Sequence, residues 1–295
     1  MALFLISGQS PFMRLGGPLY GEIDSPEEWV AAARKENYSA LNAPVGFNPD
    51  TVSISDSITA AFAEAAAKAN LVIAEVGAWS NPIDPDSTKA AEAIAGCQRN
   101  LDLADRLGAK CCVNITGSRN PAQWDGPHPT NFSRETFDLI VESTRKIVDA
   151  VNPSRTFYCL ETMPWIFPSS ADQYLDLLKA IDRSRVAVHL DPVNMINCPE
   201  RAYDTGSFIR DCFKKLGAHI KSCHAKDVVL HSKLTLHLDE CQPGRGILDY
   251  KAFLTALSKL HPDTPLMLEH LPREDYPAAA TYIRQVAEAN NLKFI

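Results

Sequence analysis

The sequence predicts a single α/β domain over residues 1–295 that closes as a (β/α)₈ barrel. Short apolar segments alternate with longer helix-forming segments eight times along the chain, which is typical of parallel strands joined by helices. No linker, charge block or low-complexity tract separates these pairs. An open doubly wound sheet is the structural alternative, but SGQSPF after the first segment lacks the expected GxGxxG turn.

The predicted elements follow in order along the chain. The first strand-like segment is ALFLIS, and the first helix should begin at Ser25, with Pro26 in its first turn and Glu28 closing a capping box. YSALNAP then precedes the alanine-rich helix SITAAFAEAAAKAN, since alanine has the highest helix propensity. Six more strand-like segments each precede a helical pattern: LVIAEVG, AKCCVNIT, TFYCLET, RVAVHLD, HIKSCHAK and TPLMLEH.

Composition and charge agree with a soluble enzyme. The net charge of −7 and the pI of about 5.6 disfavour broad binding to nucleic acids or anionic membranes. No apolar run is long enough to cross a bilayer, and the N-terminus lacks a basic leader. The eight cysteines are dispersed and form no CxxC pair, which indicates reduced thiols in a cytoplasmic protein.

Four strand-like segments end in a side chain that can bind a metal ion. These side chains are Glu161, Asp191, His224 and Glu269. Because the C-terminal ends of parallel barrel strands converge on one mouth, we expect the four to meet there. Three carboxylates and one imidazole favour a single divalent ion: Mn²⁺ is the first expectation, and Mg²⁺, Co²⁺ and Zn²⁺ are compatible. Such a site suits proton abstraction beside a carbonyl through an enediolate, with Glu161 and Glu269 moving the proton.

Other residues near these strand ends are predicted to complete the pocket. Lys226 shares a strand face with His224, and His189 shares one with Asp191, one layer deeper. The HxD pair of His237 and Asp239 lies in the long segment 229–248, which with segment 118–133 predicts a lidded mouth. Lys226 and His237 are candidate catalytic groups. The candidate substrate-binding residues are Asn194, Asn197, Arg245, Trp165 and His270, with Glu75 and Asn114 as further wall residues.

The segments CLET, HLDP, CHAKD, PGRGILDY and LEH resemble the sugar phosphate isomerase/epimerase group of the xylose isomerase-like barrel superfamily. That group includes ketose 3-epimerases, inosose dehydratases and isomerases, and endonuclease IV. The resemblance covers nearly the whole chain. It implies a divalent ion on the four predicted ligands and proton transfer beside a sugar carbonyl by Glu161 and Glu269. A homo-oligomer is also expected, because family members are often dimers or tetramers.

The chain departs from two branches of this group. Endonuclease IV uses histidines on early strands for a three-zinc site, whereas the first histidine here is His128. Asn194 stands where both endonuclease IV and the ketose 3-epimerases carry a histidine, and Leu230 replaces an arginine of those epimerases. The HAKD run is more similar to the inosose-type branch.

The leading hypothesis is a metal-dependent isomerase or epimerase of a polyhydroxylated keto-sugar or keto-polyol. The runner-up is a lyase or deglycosidase that cleaves 3-keto-glycosides, similar to the metal-binding subunit of C-glycoside deglycosidases. In that role His237 would be an additional acid/base group, and a small β subunit would be a partner. A non-catalytic sugar-binding barrel is the third hypothesis, and a DNA-repair endonuclease is the last.

Overall fold

The computed structural model describes residues 12–21, 23–44 and 46–295. Its strands are β1 (Phe12–Gly17), β2 (Ala40–Asn42), β3 (Val72–Gly77), β4 (Cys111–Ile115), β5 (Tyr158–Glu161), β6 (Val186–Leu190), β7 (Ile220–Ala225), β8 (Asp227–His231), β9 (His237–Cys241), β10 (Pro265–Leu268) and β11 (Lys293–Phe294). Strands β1 to β7 pair in sequence, β7 pairs with β10, and β10 pairs in parallel with β1. Eight parallel strands therefore close a barrel, and the predicted fold is confirmed.

Helices surround this barrel. They are α1 (Pro26–Lys35), α2 (Asp56–Lys68), α3 (Ser87–Leu107), α4 (Arg134–Val151), α5 (Ala171–Ile181), α6 (Pro192–Met195), α7 (Pro199–Tyr203), α8 (Thr205–Leu216), α9 (Tyr250–Leu257) and α10 (Tyr276–Ala289). The capping box of α1 is present: Ser25 Oγ accepts from the Glu28 N–H at 3.2 Å, and Glu28 Oε2 accepts from the Ser25 N–H at 3.2 Å. No helix in the described ranges is long and apolar enough to cross a membrane.

The first strand of the barrel lies later in the chain than the sequence predicted. The predicted strand ALFLIS lies outside the described residues, whereas β1 begins at Phe12. Strand β1 ends in Gly16 and Gly17, a pair that is typical of turns in a sequence. In the structure Gly16 instead lets β1 pack closely against its two neighbouring strands. A Cβ added at Gly16 would lie 2.2 Å from the carbonyl oxygen of Ala40 on β2 and 2.5 Å from Met267 Sδ on β10.

The buried core of the described residues consists of one large cluster and two small ones. A large apolar cluster lies between the barrel and the helices and includes Trp29, Leu101 and Phe253. Small side chains of neighbouring strands, such as Cys111 on β4 and Cys159 on β5, form a separate cluster, as expected for layers that fill a barrel interior. All eight cysteines lie within the described residues and are unpaired thiols, as predicted.

Strands β8 and β9 form an antiparallel hairpin outside the barrel sheet. The hairpin occupies most of the long segment 229–248 and follows β7 directly, so it begins at the C-terminal mouth of the barrel. Asp227 pairs with Cys241 at the base of the hairpin, and His231 pairs with His237 at the other end of the ladder. The hairpin therefore carries its side chains beside the strand ends where the ligands were predicted.

Candidate metal centre

The four predicted ligands meet at the ends of four neighbouring barrel strands. Glu161 ends β5, Asp191 follows β6, His224 lies in β7 and Glu269 follows β10. One ligand atom from each lies within 4.8 Å of the others. His224 Nδ1 is 2.8 Å from Glu269 Oε1, 3.1 Å from Glu161 Oε1 and 3.9 Å from Asp191 Oδ2. The structure thus forms one compact donor set from side chains far apart in the sequence.

Hydrogen bonds orient two of these carboxylates, those of Asp191 and Glu161. Asp191 caps α6: its Oδ1 accepts from the N–H groups of Val193 at 2.9 Å and Asn194 at 3.2 Å. This leaves Oδ2 facing the other ligands. Asn194 also donates from Nδ2 to Glu161 Oε1 at 3.2 Å. Asn194 was predicted to bind substrate hydroxyls, but in the structure its amide holds a ligand carboxylate.

The donor set fits a divalent cation. Asp191 Oδ2 and Glu269 Oε1 are buried, and neither has a partner in hydrogen-bond geometry among the residues that the structure describes. Their close neighbour is the Lys226 ammonium, at 2.9 Å and 2.5 Å respectively. Three carboxylates face only two groups that can carry positive charge, Lys226 and His224, so net negative charge remains in a buried site, which is unfavourable without a further cation. Oxygen-rich donors with one imidazole suit a hard or borderline divalent ion.

Lys226 lies inside this site, in contact with two of the candidate ligands. Its side chain is 1% exposed. Burial disfavours the charged amine, but the carboxylates of Asp191 and Glu269 outweigh burial and raise the pKa of Lys226 well above its ordinary value. Burial likewise opposes ionisation of Glu269, but His224 and Lys226 outweigh it and lower the pKa of that carboxyl. Near neutral pH, Lys226 is therefore an ammonium and Glu269 a carboxylate.

A second buried layer lies against His224. Glu75 Oε1 accepts from His189 Nε2 at 2.8 Å and from the Ser222 hydroxyl, and Glu75 Oε2 lies 3.4 Å from His224 Nε2. The rings of His189 and His224 are in contact, with centroids 4.0 Å apart. Burial would raise the pKa of Glu75, but the two imidazoles outweigh it and lower that pKa. The sequence pattern indicated Glu75 only as a wall residue and gave no signal for Ser222.

The hairpin adds Glu240, which was not predicted from the sequence. Glu240 Oε2 lies 3.7 Å from Lys226 Nζ and 3.3 Å from His270 Nδ1. The neighbouring Asp239 instead pairs with His231 Nε2 at 2.9 Å. Adjacent strand residues face opposite ways, so only one of these two acidic side chains can enter the site. The sequence does carry a signal for Glu240, because this acidic residue directly follows the HxD pair of His237 and Asp239.

Other predicted residues lie at the rim or outside it. His270 is exposed, and its pKa is raised by the hydrogen bond to Glu240. His237 and Arg245 are exposed, and within the described ranges neither side chain forms a hydrogen bond or ion pair with the four ligands. Asn197 Oδ1 accepts from Arg201 at 3.0 Å. Trp165 Nε1 donates to a backbone carbonyl of the β4–α4 segment at 2.7 Å, so these last two side chains hold loops together.

The prediction that Asn114 lines the pocket is wrong. Its Nδ2 contacts Cys97 Sγ of α3 at 3.3 Å and the Tyr158 hydroxyl at 3.4 Å. Asn114 therefore faces the helix layer rather than the mouth. Every residue of β4 is buried, as is common for barrel strands covered on both sides. Its sequence consequently offers no polarity difference to indicate which face is interior.

A cavity of about 230 Å³ opens beside the ligands and is bordered by His224 and Glu269. Its other polar and aromatic lining residues include Asn42, Phe47, Glu75 and Trp79. Trp79 is 47% exposed. Its indole lies on the backbone of Gly77, where an added Cβ would come within 2.4 Å of Trp79 Nε1. Asn42, Phe47 and Trp79 were not predicted from the sequence, although a tryptophan just after a strand-end glycine is a usable signal.

A protein-family model described as "Xylose isomerase-like TIM barrel" matches residues 30–286. The match spans most of the chain and includes all four predicted ligands. The chain belongs to this family. The superfamily resemblance inferred from the sequence is therefore confirmed. A search of curated proteins found no significant match.

Several solved structures are similar to this chain at low identity. Endonuclease IV from Thermus thermophilus has a TM-score of 0.71 and 15% identity, over 94% of this chain and 99% of that one. D-psicose 3-epimerase with D-tagatose, from Clostridium cellulolyticum H10, has a TM-score of 0.65 and 18% identity, over 93% and 99%. A xylose isomerase-like TIM barrel protein from Mycobacterium smegmatis, in complex with magnesium, has a TM-score of 0.65 and 15% identity, over 95% and 97%. These likenesses establish the fold alone.

Proposed function

We propose that the protein is a divalent-metal-dependent isomerase or epimerase of a polyhydroxylated keto-sugar or keto-polyol. The observation that supports this proposal is one compact donor set in which Glu161 and Glu269 come from strands on either side of β7, the strand that carries His224. The fold shared with D-psicose 3-epimerase supports the reaction class. It leaves the substrate open, because the identity is only 18%.

Glu161, Asp191, His224 and Glu269 would hold the cation, with Mn²⁺ as the first candidate. When bound, the ion supplies Lewis acidity, which lowers the free energy of negative charge on a substrate oxygen. Each glutamate directs Oε1 towards His224, which leaves its Oε2 to exchange a proton with substrate. One glutamate would take the proton from the carbon beside the carbonyl, and the other would return it.

The positions of the two glutamates suit a change of configuration. Glu161 and Glu269 extend from β5 and β10, with β6 and β7 between those strands. A substrate held above the intervening strands has one carboxylate on each side. A proton removed on one side and returned on the other inverts the carbon. His224 and Lys226 outweigh burial and lower the pKa of Glu269, so this carboxylate is ready to act as a base.

The rim would select the substrate. His270 and Glu240 form a hydrogen-bonding pair at the mouth, and Trp79 offers an exposed indole beside the cavity. Both are suited to a sugar, whose hydroxyl groups need polar partners and whose C–H faces pack on aromatic rings. His237 and Arg245 would contact substrate only if the hairpin moved over the mouth. Their predicted roles depend on such a movement.

Deuterium exchange tests the proposal. The Mn²⁺-loaded protein is incubated in deuterated water with ketohexoses, ketopentoses and inososes, and label at the carbon beside the carbonyl is followed by NMR. We expect incorporation without bond cleavage, and a loss of about 10²–10⁴-fold in rate for Glu161→Gln and Glu269→Gln. The control is His219→Gln, at an exposed histidine that directly precedes β7 at the end of that strand away from the site, and it should retain most of the rate. Absence of label from every keto-sugar and keto-polyol, in a protein that binds Mn²⁺, would refute the isomerase assignment.

Cleavage of 3-keto-glycosides is a second candidate, favoured by the buried Lys226 ammonium beside Asp191 and Glu269. A lyase needs an acid that protonates the departing oxygen, and Lys226 is a protonated group at the centre of the site. The same incubation distinguishes the two functions. Release of the aglycone from a 3-keto-glycoside supports the lyase, whereas label exchange in an intact sugar supports the isomerase.

A further inference from the structure

The geometry points to Glu75 as a positioning residue that fixes the His224 ring with Nδ1 turned to the metal centre. This inference rests on the metal centre of the proposed function. It adds a partner from β3, a strand that contributes none of the four ligands. Nothing in the sequence indicated this role, because Glu75 and His224 are separated by 149 positions.

Three donors converge on the Glu75 carboxylate. His189 Nε2 and the Ser222 hydroxyl approach Oε1, and His224 Nε2 approaches Oε2 at 3.4 Å. The Glu75 residue is 5% exposed, so these donors are not replaced by bulk water. The two carboxylate oxygens have different roles, since Oε1 anchors Glu75 in the barrel interior and Oε2 reaches the ligand imidazole.

With a cation at the four ligands, the contact with Glu75 favours one tautomer of His224, because Nδ1 then gives its lone pair to the cation and the single N–H lies on Nε2. A neutral imidazole carries a single N–H, and an acceptor at one ring nitrogen leaves the lone pair on the other. With Glu75 at Nε2, the lone pair lies on Nδ1, which is the atom near Glu161, Asp191 and Glu269. Carboxylates that hold the far N–H of a metal-bound histidine fix both its tautomer and its ring orientation.

His189 supports the same arrangement at a cost to stability. It is fully buried, and its Nδ1 has no hydrogen-bond partner in the part of the chain that the structure describes. A buried unpaired polar atom is unfavourable, and an apolar ring would avoid it. The His189 ring packs against His224 and holds Glu75 through Nε2. These contacts restrict the rotation of the His224 ring.

Metal affinity tests the role without any assay of turnover. Free Mn²⁺ is measured by electron paramagnetic resonance in titrations of the parent protein, Glu75→Gln, Glu75→Ala and the control Glu142→Ala. We expect Kd to rise about 10–100-fold for Glu75→Ala and by less for Glu75→Gln, whose amide oxygen can still accept one N–H. The control removes a glutamate that pairs with Lys146 on the surface of α4, and its Kd should stay within about threefold of the parent. Values within threefold for both Glu75 variants overturn the inference.

A measurement on the unmodified protein covers the case in which the Glu75 variants do not fold. Nitrogen-15 NMR of the Mg²⁺-loaded parent, with labelled histidine, reads the tautomer of His224 directly. A proton on Nε2 supports the inference, and a proton on Nδ1 overturns it. A parent that binds neither Mn²⁺ nor Mg²⁺ overturns the metal centre itself. A parent that binds tightly while the Glu75 variants bind equally well overturns the positioning role alone.

Discussion

Replacing Asp227 by asparagine perturbs the base of the hairpin that carries Glu240. The buried Asp227 carboxylate accepts four backbone N–H groups. Oδ1 accepts from Val228 at 2.8 Å and Leu248 at 2.9 Å, and Oδ2 accepts from Gly244 at 2.9 Å and Gly246 at 3.0 Å. The side chain thereby joins the start of β8 to the turn that follows β9.

The expected loss follows from the number of acceptors. Asparagine has one carbonyl oxygen, so it can serve one pair of N–H groups, and its own NH₂ then faces the other pair. Two hydrogen bonds to a charged acceptor are lost, each worth about 1.5–3 kcal/mol. Hydration of the partly exposed turn recovers some of this free energy. We therefore expect the free energy of unfolding to fall by about 3 kcal/mol and Tm to fall by roughly 5–10 °C.

Urea and thermal unfolding followed by circular dichroism measure the loss, and amide hydrogen exchange locates it. The amides of Gly244, Gly246 and Leu248 should exchange faster in Asp227→Asn. The matched control is Asp86→Asn, because Asp86 only caps α3 and asparagine caps helices equally well. That control should stay within about 0.5 kcal/mol of the parent. Loss of under about 1 kcal/mol for Asp227→Asn, with unchanged exchange at the three amides, would refute the reasoning.

Three further outcomes are expected. Mn²⁺ at about one hundred times its Kd should raise the free energy of unfolding by about 2.7 kcal/mol, seen as a higher Tm, and a full gain retained by Asp191→Asn would contradict the ligand set. Trp79→Ala should raise KM about tenfold and leave kcat within about threefold of the parent, because the indole borders the cavity without contacting a metal-ligand residue. Steady-state kinetics in which only kcat falls would contradict this prediction. Burial opposes ionisation of Asp263, but the Arg14 guanidinium at 2.6 Å outweighs burial and lowers the pKa of that carboxyl. The ion pair therefore stabilises the fold above about pH 4. This stabilisation is lost as the pH falls through the folded-state pKa of Asp263. Asp263→Asn should therefore cost about 1 kcal/mol at pH 7 and progressively less in urea unfolding at lower pH, and a difference independent of pH would exclude this ion pair as the cause.

The meeting of the four candidate ligands could be predicted because each one interrupts an apolar strand at the same end. Glu161, Asp191, His224 and Glu269 all stand where a β-rich segment stops. In a parallel barrel those ends converge, so four positions along the chain imply one site in space. The capping box at Ser25 could be predicted for a similar reason, since all its contacts lie within four residues.

Side-chain direction was predictable only where a strand has one polar face. Asn114 and Glu75 lie on neighbouring strands whose flanking residues are buried on both faces. The sequence pattern therefore could not show that Asn114 faces the helices and Glu75 the site. Glu240 and Asp239 present the same problem on the hairpin, where either acidic residue could have entered the mouth.

The sequence by itself determined the alternation of strands and helices, the family and the set of candidate ligands, because these depend on periodicity and on the ends of segments. Only the tertiary structure decided that Lys226 is buried among the carboxylates, that Glu75 contacts His224, and that the first barrel strand begins at Phe12. These features depend on strand register and close packing across the barrel. Such contacts join residues far apart in the chain, and no local pattern records them.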